Sequence, residues 1–184
     1  MHYKQIKMKT RTEKILLILK VLALLGAIAF SIECGSKLLS FVASFINPDW
    51  ARRTYEVDLN IFSIREHSIT FYAIAMCLNI VASAMKAFVW YMIFAMLLKL
   101  KLQTPFSMEV EKKLESIAYL LLGIWLVSSV FWKIYVHYLT QSTGIQLRAI
   151  QGGDEFLFIA GIVYIISQVF KRGIEIQEEN QLTV

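Results

Sequence analysis

Charge is what this sequence has little of. Only 18% of its 184 residues are Asp, Glu, Lys or Arg, against about a quarter in soluble domains. With 57% hydrophobic residues and a mean hydropathy of +0.56, that shortage excludes an ordinary soluble domain. Groups that do chemistry are scarce as well. His2, His67 and His137 are scattered, with no metal-ligand spacing to Cys or acidic residues. There is no phosphate-cradling glycine loop and no serine in a nucleophile elbow. Glu178-Glu179 is a paired carboxylate, but on a polar tail it reads as a solvated face. We therefore expect no enzyme, no metal and no cofactor. Cys34 and Cys77 allow one disulfide at most, which needs Cα atoms within about 7 Å. As small, readily buried residues they read as free thiols.

What the sequence has instead is clustered apolar residues. Four runs read as membrane spans: Ile15–Ile32, Phe71–Leu98, Ile117–Val136 and Phe156–Phe170. A span needs about 20 mainly apolar residues at 1.5 Å rise each. The first three are long enough. The fourth covers only about 22 Å and relies on Lys171 and Arg172 snorkelling outward. With flanks the spans become 15–36, 70–99, 115–138 and 155–172, followed by a polar tail at 173–184. The second is long enough to tilt or project. The expected fold is an all-α bundle of four transmembrane helices, one integral membrane domain over residues 1–184.

The net charge of +5 is distributed as a bilayer requires. Lys4, Lys7, Lys9, Arg11 and Lys14 precede the first run. Lys99, Lys101, Lys112 and Lys113 occupy the joint between the second and third, and Lys171-Arg172 follow the fourth. The other loops hold only Arg52, Arg53, Arg65 and Arg148. Eleven basic residues against four put both termini and the joint on the cytoplasmic side. The basic N-terminus is a topogenic signal that also attracts anionic lipid. The bilayer is thus the expected partner, and direct nucleic-acid binding is not expected. Ala27-Ile28-Ala29 also fits a signal-peptide cleavage site, but the apolar run that holds it is as long as a span.

Polar residues within the runs are few. Lys86 lies near the middle of the second, where a lysine costs about 2.5 kcal/mol or more and is a functional candidate by default. Asn79 and Ser83 share its helical face. Two readings stay open: Lys86 points into the bundle toward a polar group, or it snorkels along its own helix or onto a backbone carbonyl. Glu33, the only intramembrane carboxylate, is an imperfect partner, about 9 Å nearer the outer face by helical rise. It stands one turn before Lys37, a spacing that permits an ion pair. Ala23, Ala27, Ser31 and Gly35 recur every four residues and let another helix approach closely, which leaves room for a homo-oligomer.

Between the first two spans, Asn47-Pro48-Asp49 is a turn signal and Trp50 an interfacial anchor. Tyr55, Val57, Leu59 and Ile61 then alternate with Glu56, Asp58 and Asn60, as in a strand. Ile145, Leu147 and Ala149 give a shorter match. We expect a small extracytoplasmic loop cap with short β-strands, either a ligand-sensing cap or a packed lid over the helix ends. In the joint, Ser107 can cap a helix whose first turn carries Glu109 and Glu111. Gly152-Gly153 precede Asp154-Glu155, which suit the start of the fourth helix. Lys171-Arg172 in its last turn and Gly173 beyond are the expected stop.

Two segments carry a resemblance. TPFSMEVEKKLESIAYLLLGIWL, from Thr104, is similar to the PFS.EN...L..IG pattern of the domain of unknown function 2975 family of bacterial membrane proteins. VFKRGIEIQEENQLTV, from Val169, resembles that family's closing FRRG..LQEENDLTV. The chain departs from these patterns at Val110 and Gln181. The resemblance implies a four-helix integral membrane protein with no established activity. The family's gene neighbourhoods imply a partnership with a small cytoplasmic Xre-like helix-turn-helix transcription regulator. The expected function is that of a non-enzymatic regulatory or sensory protein of the bacterial cytoplasmic membrane. It would contact its partner through Pro105, Phe106 and Ser107 of the joint and Arg172, Gly173, Glu178, Glu179, Leu182 and Val184 of the tail, unless Leu182 and Val184 dock under the bundle. The rival is a small transporter or channel subunit with a polar path along Lys86, Asn79 and Ser83.

Overall fold

The computed structural model describes residues 11–49, 61–100, 106–145, 147 and 153–182. Pro105, Val184 and most of the expected strand at 55–61 lie outside them, as does the side chain of Leu182. Helix α1 spans Arg11–Ile46, α2 Ile61–His67 and α3 Ile69–Lys99. Helix α4, Met108–Trp125, passes through a π turn at Leu126–Phe131 into α5, Trp132–Thr143. Helix α6 is Asp154–Leu182. Four rods, namely α1, α3, the α4–α5 rod and α6, are long and apolar enough to cross a membrane. The fold is all-α.

The rods pack in series: α1 on α3, α3 on α4, and α4 on α6. They are not level. By rise, α3 and the α4–α5 rod are about 46 and 54 Å long, more than a bilayer core of about 30 Å requires. Gly153, at the start of α6, lies against Ser128 and Ser129, partway up the α4–α5 rod. Everything beyond that level is a cap built from the far ends of α1 and α3 with α2 and α5.

The described part of the cap is helical, and no strand occurs among the described residues; residues 55–60 of the expected strand lie outside them. Ile61 opens α2, and Ile64, one helical turn on, is buried beside it. That i, i+3 pair gives Ile61, the last residue of the alternation, a place in a helix. Ile145 and Leu147 form no strand either, and Leu147 packs into the cap core. That core holds Ile64, Tyr72, Met76, Trp132 and Leu139. The Tyr135 hydroxyl ties α5 to α3 by donating to the Phe71 carbonyl at 2.8 Å. Gly144 ends α5 with φ 71°, a left-handed cap that glycine adopts without strain, and its N–H donates to the Thr140 carbonyl.

Below the cap, Val89, Ile117, Leu121, Ile124 and Ala160 form a second core, filled in by Met85, Met92 and Met96. Outside it the apolar surface is open: Ile18, Leu22, Leu25, Phe158 and Ile165 are all more than half exposed, as a lipid-facing surface should be. The stop expected at Gly173 is also corrected, because α6 continues to Leu182. A Cβ at Gly173 would lie 2.8 Å from the Phe106 ring, so glycine serves close packing here rather than termination. Arg172 then supports the added turns, pairing with Glu175 at 2.8 Å and Glu179 at 4.0 Å.

Candidate functional site

Two polar groupings stand at opposite ends of the membrane half. The first is at the foot of the cap. Lys37 donates to Glu33 at 2.6 Å and to Ser83 at 2.7 Å, and the Ser83 hydroxyl donates to the same Glu33 oxygen at 3.2 Å. The i, i+4 spacing on α1 places the two charges together, and the small Ser83 of α3, fully buried, closes the triangle. The Glu33–Lys37 ion pair expected from spacing is present.

Lys86 is not part of that triangle. Its ammonium sits 5.6 Å from the centre of the Phe156 ring, within cation–π range. It is also near enough to Glu33 and Glu155 to act on both electrostatically. Since Phe156 belongs to the first turn of α6, Lys86 is central in α3 but its charge emerges near the cap edge of the apolar slab. Asn79 donates to its own Ala75 carbonyl at 2.9 Å, a bond within one helix. The three residues placed on one face of α3 thus go to three different partners.

The polar belt continues onto α6. Gly153 fits against Ser129, whose Oγ would be 2.6 Å from an added Cβ, and the Gly153 N–H is held by the Glu155 carboxylate at 2.8 Å. Lys133 reaches Asp154 at 3.3 Å. Ser128 and Ser129 fall in the π turn, a distortion often found where function needs an irregular backbone. From Asp154 to Lys171 is about 26 Å by rise, the depth of a thin hydrocarbon core.

The small-residue stripe of α1 divides. Ala23 is buried, whereas Ala27, Ser31 and Gly35 line an open groove of about 740 Å³ against Ala84 and Ala87 of α3. Cys34 and Cys77 are free thiols, and Cys34 Sγ contacts the Ile80 carbonyl at 3.9 Å.

The second grouping is at the joint. The Ser107 side chain caps α4 by accepting from the Val110 N–H at 3.4 Å, as its sequence position indicates. Phe106 packs on Phe170 at 5.1 Å between ring centres and lies over Gly173. Lys99, at the end of α3, pairs with Glu109. Phe106, Ser107, Arg172 and Gly173 therefore converge, while Glu178 and Glu179 extend the same helix into solvent. Glu111, one helical turn beyond Ser107, is buried here and has no sequence pattern to mark it as more than a first-turn acid. Ser129 was likewise unmarked, because a π turn leaves no periodicity to read.

The model of the family described as protein of unknown function (DUF2975) matches residues 3–184. The chain belongs to the DUF2975 family. It is a multi-pass membrane protein, with four helices long and apolar enough to cross a membrane. No curated protein and no solved structure matches the chain.

Proposed function

We propose that this DUF2975 protein is a non-enzymatic regulatory or sensory membrane protein of the bacterial cytoplasmic membrane, with its joint and tail facing the cytoplasm and contacting a soluble helix-turn-helix regulator. The observation that supports this reading is the uninterrupted course of α6. One helix runs from the polar belt, where Gly153 meets the π turn, past Gly173 and about 15 Å beyond Arg172. A rigid rod with one end among cap-side charges and the other in solvent can carry a displacement across the bilayer. It packs on α4 and carries few other contacts, so a shift against that one neighbour suffices. A ligand or lipid state that favours one packing of α6 over another would present a different tail to the partner. The bilayer sidedness follows from the basic residues of the N-terminus, the joint and Lys171-Arg172.

The test is co-purification of the full-length protein with soluble regulators from its own cells. Deleting residues 174–184 should abolish the association, and Lys86→Met should leave it intact. The reverse pattern, with solute movement in proteoliposomes that depends on Lys86, would refute regulation in favour of transport. Labelling of Gln103 or Asn180 from outside intact cells would overturn the orientation.

A further inference from the structure

One lipid-facing side of the α4–α6 pair carries two stripes of matched chemistry. On α4, Lys112, Glu115, Tyr119 and Leu122 recur at three and four residues, and on α6 Leu157, Gly161, Tyr164, Gln168 and Lys171 do the same. The two helices are antiparallel, since Phe106, just before α4, meets Phe170 near the far end of α6. The rings of Tyr119 and Tyr164 stand 6.1 Å apart and fix the level at which the stripes meet. By helical rise, Glu115 then lies level with Gln168, one turn toward the joint, and Lys112 with Lys171 a further turn out.

Away from the joint the stripes border an open groove of about 300 Å³. Leu122, Leu157, Ala160 and Gly161 line it, with the two tyrosines at its joint end. A Cβ at Gly161 would meet nothing within 4 Å. From Tyr164 to Leu157 is about 10 Å by rise, so the groove averages about 30 Å² in cross-section. That is room for one hydrocarbon chain at ordinary contact distances, not for two side by side. A transmembrane helix, about 10 Å across, is too thick to enter it.

The polar groups at its mouth are ordered by depth. Lys112 and Lys171 are exposed, and their flexible stems can bring two ammonium groups to an anion at the surface. One turn deeper, Glu115 accepts from the Tyr119 hydroxyl at 3.3 Å, and a carboxylate has capacity for further donors. Tyr164, 40% exposed, brings a second hydroxyl within interaction range of Tyr119. A bare hydrocarbon tail uses none of these groups. A ligand that uses all of them carries a phosphate outermost, a hydroxyl donor just below it, an ester carbonyl for a tyrosine hydroxyl, and then a single chain. An ordinary two-chain phospholipid fails twice: its glycerol has no free hydroxyl for Glu115, and its second chain has no place.

We propose that the α4–α6 groove binds a single-chain glycerophospholipid with a free glycerol hydroxyl, drawn from the leaflet on the joint side. Lys112 and Lys171 would hold its phosphate, Glu115 its hydroxyl, and the groove beside Gly161 its acyl chain. The site stands without the regulatory reading, because binding is measured on the purified protein with no soluble partner present.

The probe is palmitoyl lysophosphatidic acid. Its methyl ether at the free hydroxyl and dipalmitoyl phosphatidic acid serve as comparisons, each titrated onto the full-length protein in non-ionic detergent and read by native mass spectrometry. The wild-type protein should bind the probe about tenfold or more tightly than either comparison, as a site built to bond a hydroxyl rejects an analogue without one. Glu115→Ala should erase the preference over the ether while binding the ether no more weakly. Gly161→Leu, which fills the groove from the lipid side, should weaken the probe about tenfold or more, and Gly35→Leu in the α1 groove less than twofold. Equal wild-type affinity for the probe and its ether, or for the probe and the two-chain lipid, overturns the proposal. So does a hydroxyl preference that survives Glu115→Ala. Unchanged probe binding in Gly161→Leu overturns it too, and a shift of that variant from dimer to monomer would assign the groove to a second copy.

Discussion

The cap and the membrane half share α1, α3 and the α4–α5 rod but solve opposite solvent problems. In the cap, Tyr72, Ile64 and Leu139 are each 0% exposed and pack from three different helices. In the membrane half, the best apolar stretch of α1 is nearly all outward-facing, with only 6% of its residues buried. Leu25 there is 57% exposed. The cap is held by burial against water. The lower half must be held by lipid solvation and close helix contact, because moving leucine from lipid to protein gains little. Hydrophobicity alone thus does not say which residues carry stability in this chain.

The comparison breaks most visibly at the cap core. Tyr72→Ala should cost about 3–5 kcal/mol and Leu139→Ala about 2–5 kcal/mol, read by denaturant unfolding in micelles. Leu25→Ala, on the lipid face, should stay within about 0.5 kcal/mol. Equal losses at the two sites would mean that the cap is not an independently packed core.

Close contacts sharpen the contrast within α1. A Cβ at Gly26 would lie 2.6 Å from the Trp90 ring, so Gly26→Leu should cost about 1–3 kcal/mol through overpacking. Gly35 has nothing within 4 Å, and Gly35→Ala should instead stabilise by about 0.5–1 kcal/mol through helix propensity. Thermal scans in lipid nanodiscs would separate them. A destabilised Gly35→Ala would reveal that the open groove is filled in the membrane.

A smaller effect belongs to the belt between the two regions. Ser83→Ala removes the buried hydroxyl shared by Lys37 and Glu33 and should cost about 1 kcal/mol, while the ion pair itself persists. The check is a double-mutant cycle with Glu33→Gln, in which a coupling near zero would dissolve the triangle.

Much of this architecture was readable from the chain. The spans followed from run length, and the Glu33–Lys37 pair and the Ser107 cap from fixed spacing along one helix. Three features were not readable, each for a physical reason. From Ile61 on the cap is helical, with Ile61 and Ile64 in a common core with Tyr72 and Leu139, a tertiary outcome that local periodicity does not contain. Gly173 looks like a helix stop in one dimension, and only its contact with Phe106 gives it another role. Asn79, Ser83 and Lys86 share a face of α3, but that face turns toward different neighbours along its length. As a result the polar path collected from the sequence does not assemble as one site.

The smallest effect tests where the membrane half ends. Ser107 accepts from Val110 N–H at 3.4 Å, a long bond, so Ser107→Ala should fall at the low end for a helix cap, about 0.5 kcal/mol. In water such a loss is mild because solvent replaces the missing acceptor. If the first turn of α4 lay within the hydrocarbon, no water would be there, and the orphaned N–H would cost several times more. Hydrogen exchange of the Val110 and Glu111 amides reads the difference directly: faster exchange with near-native stability places Ser107 at the water interface. Protected amides with a large loss of stability would move the slab past the joint, and with it the boundary on which the contrast between cap and membrane half depends.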